Sequence, residues 1–263
     1  MNYEIDIRRH QCAVTLSGDK NPAHTIENIV MGAQLSSFIE LFPEIKDQFI
    51  QSIRVGFRAP VFAKDSTNLV YTMKFIKKGE NSINHYEVEM KENGKVMMDG
   101  SVHTTDNKEL FELESKDHIK ALLAKGIDVT EVSSLNITEK DVREYYCNIL
   151  GMSETDYQVY RQKYKEGTIR PTMASFFIPG KIIGLLKNEL KKQGCELENT
   201  GKKYFYGSSE VEFFADKISA SRLKIVGKVP ENILQKKKCH IDLFIIGNNG
   251  IVAKSRTLAL AYS

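Results

Sequence analysis

The chain has 263 residues, 41% hydrophobic and 27% charged, with a formal net charge of +3. That is the composition of a folded globular protein, long enough for one large domain or two of about 130 residues each with its own core. The weak charge comes from lysines intermixed with Asp and Glu along the chain, which excludes the concentrated basic face of a nucleic-acid binder.

In chain order, Met1 to Asp6 lack an apolar signal region, and no stretch approaches 18 uninterrupted apolar residues, so a cytoplasmic protein without a membrane span is expected. Residues 18–30 begin Gly18-Asp19-Lys20-Asn21-Pro22-Ala23-His24 and read as a turn, because Gly, Asn and Pro favour non-helical backbone. A helical stretch follows from Met31 to Phe42, with Leu35, Phe38, Ile39 and Phe42 on one face and Pro43 as its stop. Strands are expected near 53–62, 68–77, 83–91 and 95–104, the last two joined by an Asn93-Gly94 hairpin turn. Residues 105–136 read as a linker, with helical character from His118 to Lys125. The second half repeats the order, with a helical stretch over 169–190 and strands near 204–214, 223–229, 239–246 and 251–261. Asn249-Gly250 joins the last pair. Phe57-Arg58-Ala59-Pro60-Val61-Phe62 stands where Phe213 to Ile218 stands in the other half. A helix followed by four antiparallel strands, twice, predicts an α+β fold in which a sheet wraps a central helix, duplicated as units 1–104 and 137–263.

The chemistry concentrates at Asp19 and His24. A turn brings this carboxylate and imidazole close enough to share one water; a histidine can take a proton near neutral pH, and the Asp can bind the same water or orient the ring. On spacing alone a structural turn beside a surface histidine is the commoner arrangement. The other candidates offer less. Cys12, Cys147, Cys195 and Cys239 form no C-x-x-C pair or metal spacing and read as reduced structural thiols. His85, His103 and His240 lie in strand-like segments without partners at ligand spacing, His10 has no recognisable role, and no Gly-rich phosphate loop occurs. Lysine clusters at Lys187, Lys191 and Lys192, and at Lys236, Lys237 and Lys238, read as solvated surface or as a docking patch for an acidic partner.

The run Ser17 to His24 closely resembles the hydratase motif of the MaoC-like family, the R-specific enoyl-thioester hydratases and dehydratases. Ile29 to Ser37 resembles the start of that family's central helix, and Phe57-Arg58-Ala59-Pro60-Val61 its entry to the strands. The resemblance covers most of residues 3–104 and, more loosely, 137–262. It implies a tandem, double hot-dog fold and the reversible syn addition of water to a 2-enoyl thioester. Asp19 and His24 are then the catalytic pair, Asn21 shapes the loop, the Gly32 backbone binds the thioester oxygen, and Ser37 lies near the site. It implies no metal and no other cofactor. The substrate is carried on coenzyme A or an acyl carrier protein, and a homodimer is allowed. Met31-Gly32 departs from the family's frequent His-Gly. In the second half Met152 and Tyr157 stand in the places of Asp19 and His24, so one active site is expected, with Arg170 to Met173, Phe176, Phe177 and Ile178 shaping the acyl pocket. The rival readings are a hot-dog thioesterase and a non-catalytic acyl-binding or partner subunit.

Overall fold

A computed structural model of the chain describes residues 1–107, 130–192, 194, 203–228, 238–248 and 250–262. Ten strands form one antiparallel sheet. The first half supplies β1 (Asn2–Ile5), β2 (Phe49–Phe57), β3 (Thr67–Lys78), β4 (Ile83–Glu92) and β5 (Lys95–Thr105), in the spatial order β1-β3-β4-β5-β2. The second half supplies β6 (Thr130–Leu135), β8 (Lys203–Phe213), β10 (Leu223–Lys228), β11 (Lys238–Gly247) and β12 (Gly250–Tyr262), in the order β6-β10-β11-β12-β8. The two orders correspond strand for strand. The halves join through β2 and β8, with Arg54 opposite Glu210 and Ser52 opposite Glu212. A small separate pair, β7 (Thr168–Ile169) and β9 (Ile218–Ser219), completes the sheet structure among the described residues.

Helices cover one face of the sheet. They are α1 (Ile7–Ser17), α2 (Pro22–Thr25), α3 (Gly32–Ser37), α4 (Glu139–Arg143), α5 (Glu154–Lys163), α6 (Pro171–Phe176) and α7 (Ile178–Lys192). A 3-10 turn over Phe38–Leu41 extends α3, and Leu35, Phe38, Ile39 and Phe42 are all buried, as their spacing predicts. Tyr71 donates its hydroxyl to the Leu35 carbonyl at 3.0 Å and ties this helix to β3. Alternating buried positions Asn84, Tyr86, Val88 and Met90 form the inner face of β4. No helix among the described residues is long and apolar enough to cross a membrane.

Several expectations need correction. The N-terminal residues form β1 and α1, which the sequence reading leaves unassigned. The strands of the two halves, as expected of two such units side by side, do form one long antiparallel surface. The first strand runs over 49–57 and not to 62, because after Phe57 the chain leaves the ladder toward Pro60, which has no N–H to donate. The helical stretch 169–190 divides at Phe177 into α6 and α7. The stretch 105–136 ends in strand β6, paired with β10, and 108–129, including the helical segment expected from His118 to Lys125, lies outside the described residues. Cys195, Lys236, Lys237 and Asn249 also lie outside them.

Candidate active site

Helix α1 ends at Gly18, whose φ of 66° turns the chain out of the helix, and the Asp19 N–H closes the end on the Val14 carbonyl at 3.2 Å. Asn21 then caps α2, its Oδ1 accepting from the Ala23 N–H at 3.1 Å, and Pro22 fills the first helical position, where an N–H has no partner to lose. The short span between these two fixed points holds Asp19. Its Oδ1 accepts the Asn21 N–H at 2.8 Å and its Oδ2 meets His24 Nδ1 at 2.7 Å. Asp19, Asn21 and His24 are only 4%, 2% and 3% exposed, so the contact is shielded from solvent competition.

A carboxylate oxygen this close to Nδ1 accepts its proton, which leaves the lone pair of a neutral His24 on Nε2. The sequence reading lets Asp19 either share a water with His24 or orient its ring. In the structure they touch, so the carboxylate orients the ring.

His10, without a role in the sequence reading, sits beneath this pair. It is fully buried, with Nε2 2.9 Å from the His24 carbonyl oxygen and Nδ1 3.3 Å from the Gln34 side chain. The carbonyl can only accept, so Nε2 donates, which anchors the backbone of α2 to α1. The signal was in the helix period: His10, Ala13 and Ser17 share the buried face of α1. Burial holds the His10 imidazolium below the ordinary histidine range, opposed by the hydrogen bonds to His24 and Gln34. The unfolded chain therefore binds this proton more tightly. The His10 contribution to stability is complete above an ordinary histidine pKa of about 6.5 and is lost as pH falls from there through the lower folded value. Denaturant titrations between about pH 5 and 8 should show stability falling toward acid in wild type and falling less steeply in His10→Gln. Equal slopes would exclude this assignment.

His24 lines a cavity of about 360 Å³. Ile29, Val30, Leu35, Val61 and Leu260 give it aliphatic walls, and Leu260 is the second half's contribution. One side is the segment after β2. Val30 N donates to Val61 O and Ala63 N to Asn28 O, which clamps 61–63 alongside 28–30, and Arg58 N donates to Met97 O on β5, each at 2.8 Å. Arg58, at the rim, is held by Asp99 through two hydrogen bonds of 2.9 and 2.8 Å. Gly32 opens α3 at the cavity, and Met31 before it provides no side-chain cap for the first-turn amides. A Cβ at position 32 would stand 2.6 Å from a Phe57 ring carbon, so glycine lets that ring lie against the helix start. Ser37, for which the sequence allows a place near the site or a packing role, does not line this cavity. Its hydroxyl donates to the Ala33 carbonyl at 2.7 Å within the helix, which is the packing role of a small helix residue.

The second half has a related turn with different chemistry. Gly151 has φ 72° and Ser153 caps α5, as Gly18 and Asn21 serve the first half. The place beside α6 is filled by side chains. Glu40, at the end of the first half's helix, reaches across to accept from Tyr145 at 2.7 Å and Thr172 at 2.7 Å, with Arg170 Nη1 3.7 Å away. Burial raises the Glu40 carboxyl above its ordinary range, opposed by Arg170 and the hydroxyls. Arg170 and Thr172 thus belong to this buried cluster and not to the acyl wall that the sequence predicts. In exchange, α7 braces the first half's turn. A Cβ on Gly180 would lie 2.4 Å from Ser17 O and 3.1 Å from Asp19 N, so only glycine permits this approach. No group of three or more metal-ligating side chains occurs among the described residues.

Solved structures share this fold over nearly the whole chain. A MaoC-like dehydratase aligns with a TM-score of 0.58 at 9% identity, covering 100% of this chain and 98% of its own. HtdX from Mycobacterium tuberculosis aligns with a TM-score of 0.59 at 8% identity, covering 98% and 97%. The acyl-CoA thioesterase II TesB2 from Mycobacterium marinum aligns with a TM-score of 0.51 at 10% identity, covering 99% and 93%. The fold in common is the hot-dog fold, and at these identities the likeness is one of fold. No protein-family model matches the chain, and no curated protein sequence is significantly similar to it.

Proposed function

We propose that the chain is a tandem hot-dog enzyme that adds water to, or removes it from, acyl thioesters, with one active site at Asp19 and His24. The matching strand orders of the two halves support the tandem reading, with the sequence-expected units 1–104 and 137–263 and with β6, at the end of the stretch between them, belonging to the second half's sheet. The observation that carries the function is the Asp19–His24 contact, buried at the wall of a largely aliphatic cavity that the start of α3 also lines.

The geometry supports a two-step route. His24 Nε2 takes a proton from water as the oxygen bonds to C3 of the enoyl group, and Asp19 stabilises the imidazolium that forms. The C2–C3 π electrons move toward the thioester oxygen, whose developing charge is met by backbone N–H groups at Gly32. Nε2 then returns its proton to C2 from the same face, so the addition is syn. Removal of water runs these steps in reverse. The resemblance supplies the (R)-3-hydroxy configuration, and the thioester is carried on coenzyme A or an acyl carrier protein.

A second reading has a specific observation in its favour. A histidine oriented by a carboxylate can equally direct water at the thioester carbonyl, and thioesterases share the fold. Incubating the protein with crotonyl and longer 2-enoyl thioesters on both carriers separates the two. Hydration removes the enoyl absorbance without releasing thiol. Stoichiometric thiol release without hydration would establish the thioesterase instead.

A further inference from the structure

Two cavities meet at one side chain. Behind the cavity at His24, where α3, α6, β8 and β12 come together, lies a second of about 30 Å³. Gly32 and Phe57 line both. The Phe57 ring rests on Gly32, within 2.6 to 3.2 Å of where a Cβ would be, and so stands between the two spaces. Their chemistry differs. The front cavity has mainly aliphatic walls with His24 and Arg58 as its polar side chains, whereas five hydroxyl side chains, among them Ser36, Ser209, Ser255 and Thr257, contribute to the rear lining alongside apolar ones such as Val211. Ser255 and Thr257 are buried, their hydroxyls 3.5 Å apart. A space of this size holds about one or two waters, and those hydroxyls offer them partners.

We propose that Phe57 is the specificity-determining residue of this site. It closes the front cavity against the seam and so limits the acyl group to chains that end at its ring. This rests on the acyl-thioester reading above. Each methylene laid against the aliphatic wall tightens binding about fourfold. The gain stops at Phe57. A longer chain has to displace the ring from Gly32 and then expel water from hydroxyls whose hydrogen bonds it cannot replace. Phe176 and Ile178, which the sequence places in the acyl wall, stand behind this partition.

The test uses S-alkyl-CoA thioethers from butyl to dodecyl, which neither hydration nor thioester hydrolysis can consume, with binding measured by calorimetry. In wild type, affinity should rise about fourfold per methylene and then stop rising at a definite length. In Phe57→Ala the break should move to longer chains, and the first lengths beyond the wild-type break should bind about tenfold tighter or better. Adding Ser36→Phe, which fills the rear space, should restore the wild-type break. Phe57→Leu should move it less in the same direction, and serves if the alanine variant fails to melt cooperatively. An unchanged break in folded Phe57 variants overturns the proposal while the acyl-thioester reading stands. If wild type binds no thioether of any length, whether on coenzyme A or on the phosphopantetheine arm of an acyl carrier protein, that reading fails and the proposal with it.

Discussion

Asp19→Asn and His24→Ala should each lower turnover of a 2-enoyl thioester by about 10²–10⁴, the usual contribution of a positioned acid or base. The asparagine result follows from the hydrogen bonds. Position 19 has one oxygen committed to the Asn21 N–H and the other facing His24. In Asp19→Asn the carbonyl oxygen keeps the Asn21 bond, so the amide nitrogen falls on the side of His24. Nδ1 must then accept, Nε2 carries the proton, and the base is in the wrong tautomer. His24→Ala removes the base itself but keeps the backbone carbonyl that His10 holds, so the α2 turn retains its anchor. Both variants should therefore melt as folded proteins. Tyr157→Phe should leave turnover nearly unchanged, because the second-half turn is built around α5 with no proton-transfer partner assigned there. Normal turnover in either Asp19→Asn or His24→Ala would remove the assignment of the pair.

The second large effect belongs to stability. Glu40→Ala should cost about 3–5 kcal/mol, because it leaves Arg170 buried without its carboxylate. Both side chains are nearly inaccessible, at 1% for Glu40 and 9% for Arg170. The Tyr145 and Thr172 hydroxyls lose their acceptor at the same time. Glu40→Gln keeps an acceptor for one hydroxyl and should cost less. Denaturant unfolding measures both, and a loss below about 1 kcal/mol in Glu40→Ala would show that Arg170 finds other compensation. The cost should appear as lost stability and not as lost turnover in the folded fraction, since Glu40 sits at the second half's filled site.

Seven strands could be read from the sequence to within one residue and β2 to within five, because their signals are local, as in the alternation along β4 and Asn93-Gly94 at the turn to β5, whereas β1 and β6 were missed. Helix α3 was readable for the same reason, its buried face recurring at three- and four-residue steps. The Asp19 and His24 positions came from a motif, but their direct contact depends on how Gly18 and Asn21 close the turn, which spacing alone does not specify. What escaped depends on contacts distant in sequence. Glu40 lies in the apolar run Phe38-Ile39-Glu40-Leu41-Phe42, and its partners Tyr145 and Thr172 are more than 100 positions away. Gly180 and Leu260 reach the first half's site only because β2 and β8 join the two halves. Phe57 looked like a strand residue, and its place between two cavities follows from its packing on Gly32.

The central claim is that Asp19 and His24 direct water to C3 of an acyl thioester. Its most direct test is to run the reaction on a 2-enoyl thioester in water enriched in oxygen-18 and to locate the label by mass spectrometry. The account predicts one heavy oxygen in the 3-hydroxyl group of an intact thioester, and none in Asp19→Asn. Heavy oxygen in the carboxyl group of a released acid, with the double bond retained, would contradict it.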